Sequence, residues 1–273
     1  MRDYGIDGVW LQRFAVCLPG GPVSKRYKSL LDKMYWVRDA ADKTGWAWAI
    51  SYDIAGMPTN KMYDAVTADW KRLVDEKITE NPRYLHEGGQ PVVQIWGYYH
   101  NNNNFMTAEV GNQLIDFFQQ PGPYQSLLVG GGVWNWRKNP DPERQKMFRR
   151  FKVWVPWNVG TDARDKATGI ARANTSTWAD DQRVCRENGT FWIPVVYPRY
   201  GTVLSRRKGL WKDVITRRHG NFLWEQFHRL FELDVDTVYV AVFHEVDEGT
   251  AIFKITRPSP GPNRSGRFGG DAQ

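Results

Sequence analysis

The chain has 273 residues, enough for one large core, and a single α/β barrel commonly uses about 250. Hydrophobic residues at 41% and charged residues at 25% are ordinary for a globular protein, and no apolar run approaches the roughly 18 residues of a membrane span. Lys plus Arg exceed Asp plus Glu by 37 to 30, but the basic residues are scattered over predicted helices and the terminal tail without forming a stripe, which argues against a nucleic-acid partner.

Strand-like and helix-like segments alternate along the chain. Residues 1–5 read as the tail of a helix, followed by a strand at 6–13 (IDGVWLQR). Tyr27, Leu30, Leu31, Met34, Val37 and Ala41 then recur at helical spacing, with Gly45 placed as a stop signal. A second strand is predicted at 46–53 (WAWAISYD), a helix through Met62, Val66, Trp70 and Leu73, and a third strand at 91–96 (PVVQIW). The Asn run at 101–104 reads as a polar loop, and Thr107 as the cap of a helix through Val110, Leu114 and Phe118. Further strands are expected at 126–131 (SLLVGG), 151–156 (FKVWVP), 191–197 (FWIPVVY) and 237–243 (TVYVAVF), with a helix around Phe222, Leu223, Phe227, Leu230 and Phe231 packing the last of them. Most of these strands are hydrophobic at nearly every position, as parallel strands buried on both faces are. The alternation predicts a parallel sheet with crossover helices, a TIM-type (β/α)8 barrel. Seven visible strands make that barrel incomplete, lacking its first β/α unit and last helix.

One catalytic domain is expected over 1–255, with 256–273, rich in Pro, Gly and Arg, as a disordered tail. A barrel with an open side predicts self-association through its exposed strand edges. Cys17 and Cys185 carry no metal or redox spacing, and their pairing is open from sequence. No signal peptide follows Met1.

The 14 Trp are the unusual feature. Trp10, Trp70 and Trp224 are expected in the core, whereas Trp96, Trp134, Trp136 and Trp157 fall where strands should end. Sugar rings present apolar C–H faces that stack on such side chains. Gln12, Arg13, Tyr52, Asp53, Arg137, Asn158, Tyr197 and Arg199 are polar candidates at the same strand ends. Asp53, Trp96, Trp134, Arg137, Trp157, Tyr197 and His244 are taken forward as substrate contacts.

The segment 242–250 (VFHEVDEGT) holds His244, Glu245, Asp247 and Glu248 at the end of the last strand. Strand ends at the C-terminal face of a barrel are where catalytic groups sit, and two neighbouring carboxylates repel until one becomes an acid and the other a base. Glycosidic cleavage needs that division. A solvated loop would show the same residues. A His-Glu-x-x-His metal site is absent because position 248 is Glu, and the Gly130–Gly132 triplet is weak evidence for a phosphate loop. No cofactor or metal is called for.

The stretches YGIDGVWLQRF, WAISYDIAGM, PVVQIWG, PWNVG, FLWEQF and EVDEGTAIFK resemble bacterial glycoside hydrolase family 99 and family 71-like proteins, over about residues 4 to 255. The resemblance implies a (β/α)8 barrel and, for family 99, retaining endo-cleavage of α-mannosides without a metal. Its E-x-x-E motif falls on Glu245 and Glu248. It implies that Glu245 is the base on the sugar 2-hydroxyl and Glu248 the general acid/base. The residues alone fit equally a scheme in which one carboxylate attacks directly. An α-glucanase, a xylosidase or arabinosidase using the same pair, and a catalytically silent sugar-binding homologue are the alternatives. This chain departs from the family in lacking the usual first strand and last helix. It also reads RYGTVLS where relatives carry Gly, an aromatic residue and Trp, and has His244 where Asp or Asn is common. Family habit places such enzymes in the periplasm or outside the cell.

Overall fold

The computed structural model describes residues 1–101, 104–205 and 210–253, so the expected tail lies outside the described residues. In chain order the elements are β1 (Gly8–Phe14), α1 (Tyr27–Thr44), β2 (Ala47–Asp53), α2 (Thr59–Asp75), β3 (His86–Glu87) and β4 (Gln90–Trp96). Next come β5 (His100–Asn101), β6 (Asn104–Phe105), α3 (Ala108–Gln119), β7 (Leu127–Val133), α4 (Pro142–Phe148) and β8 (Val153–Trp157). They are followed by β9 (Asp162–Arg164), β10 (Ala171–Ala173), α5 (Trp178–Glu187), β11 (Phe191–Trp192) and β12 (Val195–Val196). The last are β13 (Tyr200–Ser205), β14 (Leu210–Ile215), α6 (Asn221–Glu232) and β15 (Tyr239–Val240). Residues 1–5 hold a 3-10 turn, Arg2–Tyr4. No helix among the described residues is long and apolar enough to cross a membrane.

Contacts divide the chain into two compact units, one of Met1–Pro156 with Asp181–Trp192, the other of Trp157–Asp180 with residues from Ile193 onward. The first unit is built on a sheet of order β1-β2-β4-β7-β8-β11, with the short β3 antiparallel on β4. The pairs β1–β2, β2–β4, β4–β7 and β8–β11 are parallel, so the strand ends following each crossover face the same way. Five of the seven expected strands appear close to their predicted bounds. The other two are reduced: 191–197 splits into β11 and β12 around Ile193 and Pro194, and 237–243 keeps only Tyr239–Val240. Pro194 has no N–H to give a ladder, which explains the first break. The first and last residues of the Asn run, Asn101 and Asn104, pair across the antiparallel β5 and β6.

Helices α1 to α3 lie where the periodicity predicts. Gly45 closes α1 at φ 88°, a left-handed conformation that suits a residue without Cβ, and the Thr107 hydroxyl accepts the Val110 N–H at the start of α3. The core of the first unit holds Val93, Ile95 and Val129 from the sheet with Met62, Val66, Trp70, Leu114 and Phe118 from the helices. Beside it lies a buried ionic cluster. Asp69 of α2 accepts from the Arg13 guanidinium at 2.8 and 3.1 Å, from the Tyr52 hydroxyl at 2.8 Å and from the Tyr27 hydroxyl at 2.9 Å. Burial, and then the Asp69 charge, push the Tyr27 phenol up to about 12.

The Gly130–Gly132 triplet lies inside β7 and is a packing device. A Cβ on Gly130 would come within 2.7 Å of the Phe151 ring, and one on Gly132 within 2.9 Å of Trp154. The bare backbone leaves room for those rings. Cys17 and Cys185 are both free and buried. Burial, and then the neighbouring Asp181 charge, push the Cys185 thiol up to about 12, far from a reactive thiolate.

The second unit contains the parallel pair β12–β15 and the antiparallel hairpins β9–β10 and β13–β14. Ala171, Tyr197, Ile215 and Phe222 form its core, with Val159, Ala173, Tyr200 and Val214 packed against them. The segment RYGTVLS supplies β13, the first arm of the second hairpin. Helix α6 buries Phe222, Gln226 and Leu230, while Trp224 is 62% exposed and Phe231 84% exposed. The expectation that Trp224 fills the core is therefore corrected: it sits on the outer face of α6, its ring 4.8 Å from that of His228.

Candidate active site

Chain 243–253 closes on itself just beyond β15. The N–H groups of Ile252 and Phe253 donate to the Phe243 carbonyl at 3.1 and 3.2 Å, that of Ala251 to the Glu245 carbonyl at 2.7 Å, and that of Gly249 to Val246 at 3.2 Å. Two outside groups brace this loop. Arg217, just before α6, donates Nη2 to the carbonyls of Gly249 at 3.2 Å and Ala251 at 2.6 Å. The Gly201 N–H of β13 donates to the Glu248 carbonyl at 2.9 Å. A loop held at six of its carbonyls has a defined shape.

The two expected carboxylates sit three residues apart on it in unequal surroundings. Glu245 is half-buried, and its Oε1 accepts the Asp247 N–H at 2.6 Å. Glu248 is exposed at its surface, yet desolvation by its neighbours, followed by the charges of Glu245 and Asp247, raises its carboxyl above the usual range. His244 is exposed on the same loop. Trp157, at the end of β8, is half-buried with its ring edge-on to Tyr239 of β15 at 5.8 Å.

Tyr197 lies in the core of the second unit. It is fully buried, its hydroxyl donates to the Thr161 carbonyl, and its ring packs 5.2 Å from Phe222. Asn158 is also buried, its side-chain oxygen accepting from the Thr161 hydroxyl at 2.6 Å.

The first unit carries its own set of strand-end side chains. Asp53 closes β2 and is buried, with its Oδ2 accepting from Gln12 Nε2 at 2.8 Å and its Oδ1 from the Ala55 N–H at 2.9 Å. Burial raises its carboxyl, against the opposing pull of those two donors. One layer below, the Ser51 hydroxyl donates to Gln94 at 2.7 Å, continuing a polar row across β1, β2 and β4. Trp96 pairs in register with both Asp53 and Gly131. A Cβ on Gly131 would come within 3.0 Å of the Trp96 ring, so this glycine leaves the indole its place. Trp134 is half-buried beyond the end of β7. Arg137 is held by Asp181 of α5 at 2.6 Å. Arg13 and Tyr52 face α2 and bind Asp69, so both are corrected from rim candidates to structural groups. Trp136 is likewise a core ring, between Phe148 and Trp154 at 5.8 and 5.6 Å.

Sequence reasoning did not single out Arg217, which lies in no motif and is placed by its long-range hydrogen bonds to Gly249 and Ala251. Among the described residues no three His, Cys, Asp or Glu side chains form a group able to hold a metal ion.

The fold is thus an α/β structure with a mostly parallel central sheet and crossover helices, carrying a carboxylate loop after its last strand. No protein-family model matches the chain, and no curated protein matches it in sequence. Solved structures do match in fold. The GH99 endo-alpha-mannosidase from Bacteroides thetaiotaomicron in complex with bis-tris-propane superimposes with a TM-score of 0.57 at 16% identity, over 79% of this chain and 61% of that one. The same enzyme in a second structure gives 0.57 at 15%, over 79% and 58%. A glycoside hydrolase-like protein gives 0.60 at 14%, over 92% and 75%. The chain therefore spans less than two-thirds of the length of the endo-alpha-mannosidases it matches. The resemblance expressed in the sequence motifs is present in the fold.

Proposed function

We propose that the chain is a glycoside hydrolase of the (β/α)8-barrel kind, cleaving α-linked glycans in the manner of an endo-α-mannosidase with Glu245 and Glu248 as its catalytic pair. The observation that carries this reading is the asymmetry of the two carboxylates. Glu245 is fixed in place by the Asp247 N–H, while burial and the neighbouring charges raise Glu248 toward its protonated form. One base and one acid on a braced loop are what glycosidic cleavage requires. The fold shared with the GH99 endo-alpha-mannosidases supports the assignment.

In the proposed reaction Glu245 takes the proton of the sugar 2-hydroxyl as that oxygen bonds to the anomeric carbon. The bond from that carbon to the leaving oxygen breaks, and Glu248 gives the leaving oxygen its proton. Water then attacks the anomeric carbon while losing a proton to Glu248. The 2-oxygen departs from that carbon and recovers its proton from Glu245, leaving configuration retained and one water consumed. Trp157 and His244 are proposed sugar contacts in the second unit. Asp53, Trp96 and Trp134 are proposed contacts in the first, with Arg137 holding its strand end through Asp181.

The test is hydrolysis of α-mannan, α-1,3-glucan and arabinoxylan by the full chain beside Glu245→Gln and Glu248→Gln. Release from α-mannan, reduced roughly 10²- to 10⁴-fold in each variant, is expected. Release confined to the other two glycans overturns the mannosidase assignment. No release at all, or release that survives both substitutions, overturns the enzyme.

A further inference from the structure

We infer that Tyr200 is a positioning residue for Glu248, its ring lodged against the backbone of Gly160 and its strand carrying the amide that holds the Glu248 carbonyl. The inference deepens the catalytic reading of Glu248, and its test has a readout independent of turnover.

Three features of the second unit place Tyr200. It packs against the core of Ala171, Tyr197, Ile215 and Phe222. It pairs with Ile215 across the hairpin. Finally, its ring lies where a Cβ on Gly160 would meet it, at 3.3 to 3.4 Å. Gly160 has φ 81°, so the chain passes under the ring in a conformation that other residues rarely adopt. The Gly160 turn is itself held, since the Thr161 hydroxyl donates to the Asn158 carbonyl at 2.8 Å and Tyr197 donates to the Thr161 carbonyl.

The ladder then breaks immediately after Tyr200. Tyr200 lies opposite Ile215, but Gly201 lies opposite Asp213, so Val214 is the extra residue of a β-bulge. The Val214 carbonyl accepts from Arg164 Nη2 at 2.8 Å, which holds the bulged residue. The Gly201 N–H donates to the Glu248 carbonyl at 2.9 Å. Bulges re-aim groups next to functional sites, and here the group re-aimed is a backbone donor. The position of Tyr200 therefore passes to the loop through one peptide.

The electrostatic surroundings agree. The phenol of Tyr200 is raised by burial and then by the Glu248 charge, so the two side chains lie within electrostatic reach of each other. The groups facing Glu248 are Glu245 and Asp247 from its own loop and Tyr200 from β13, while Arg217 engages the loop through the carbonyls of Gly249 and Ala251. Of these, Tyr200 alone brings a large apolar surface without charge. A residue that alternates between acid and base needs a pKa near the working pH, and exclusion of water by a ring raises a carboxyl without adding a charge.

The experiment is a ¹³C-carboxyl NMR titration of Glu248 in the full chain, assigned by the resonance lost in Glu248→Gln. Tyr200→Ala should lower the Glu248 midpoint by about half a pH unit or more, and Tyr200→Phe should leave it in place. Gly160→Ala, which pushes on the ring without touching the loop, should lower it as well. An unchanged midpoint in a Tyr200→Ala chain that still melts cooperatively overturns the inference. If that variant does not fold, an unchanged midpoint in Gly160→Ala does so. A shift in Tyr200→Phe as large as in Tyr200→Ala also overturns it, because the hydroxyl would then be responsible. Wild-type protein without glycan turnover counts against the hydrolase reading, and the titration still decides the role of Tyr200.

Discussion

Asp247 stands between the two carboxylates and acts on both, its N–H held by Glu245 and its charge raising Glu248. Asp247→Asn keeps the backbone donor and removes only the charge, so it separates these two effects. In the proposed reaction Glu248 is the proton donor, and it can donate only while protonated, so activity should fall as pH rises through its raised pKa. With Asp247 neutral that pKa drops, and the alkaline limb of the kcat/KM profile should move to lower pH by roughly 0.3 to 1 unit. A limb that stays in place would show that this charge does not reach the acid. At this scale the sequence is informative where a function rests on adjacent residues. Glu245 and Glu248 stand in one short motif, and the structure puts them on one braced loop. Tyr197 shows the opposite. An aromatic residue at a strand end reads the same whether it faces core or solvent, because neighbouring side chains on a strand alternate faces. Tyr200 is invisible for a further reason, since its role depends on Gly160 and on a bulge that no local pattern announces.

The long crossover elements were legible because each repeats its signal over several turns or a whole buried strand. Short strands were not: β9 and β10 have three residues each, and they pair only with each other. Helix α6 was found, but its inner face was misjudged. Phe222, Gln226 and Leu230 recur every four residues and point inward, whereas Trp224 and Phe231 lie outside. A buried glutamine defines the inner stripe by bonding to the N–H and carbonyl of Tyr197 at 3.1 and 2.8 Å, a reason that hydrophobicity does not display. Strand β7 offers a test of element packing. Gly130 and Gly132 accept aromatic rings against bare backbone, so a single methyl is overpacking. Gly130→Ala, facing Phe151 at 2.7 Å, should destabilise the first unit by about 1 to 3 kcal/mol. The loss would be read as a lower urea midpoint at unchanged slope. A neutral result would mean that Phe151 has space to retreat.

For the molecule as a whole, the order of strands β1, β2, β4, β7 and β8 follows the alternation of the sequence, and the chain nevertheless divides into two compact units. The division was not legible, because the units interleave: Asp181–Trp192 belongs to the first, while the chain on both sides of it, Trp157–Asp180 and from Ile193 onward, belongs to the second. What ties the first unit together at its beginning is Asp69, which joins α2 to β1 through Arg13, to β2 through Tyr52 and to α1 through Tyr27. Asp69 and Arg13 are both nearly inaccessible to solvent, so neither charge has water to fall back on. A buried ion pair adds little over a well-packed apolar pair, but removal of one partner strands the other. Asp69→Asn should therefore cost about 3 to 5 kcal/mol, a large part of the 5 to 15 kcal/mol that such proteins possess. Replacing both partners, Arg13→Met with Asp69→Leu, should recover much of that loss, since no unpaired charge then remains in the interior. Urea unfolding followed by Trp fluorescence compares the two directly. If the double variant is as unstable as Asp69→Asn, the remaining phenols of Tyr27 and Tyr52 carry the cost, and the cluster works as a hydrogen-bond network more than as an ion pair.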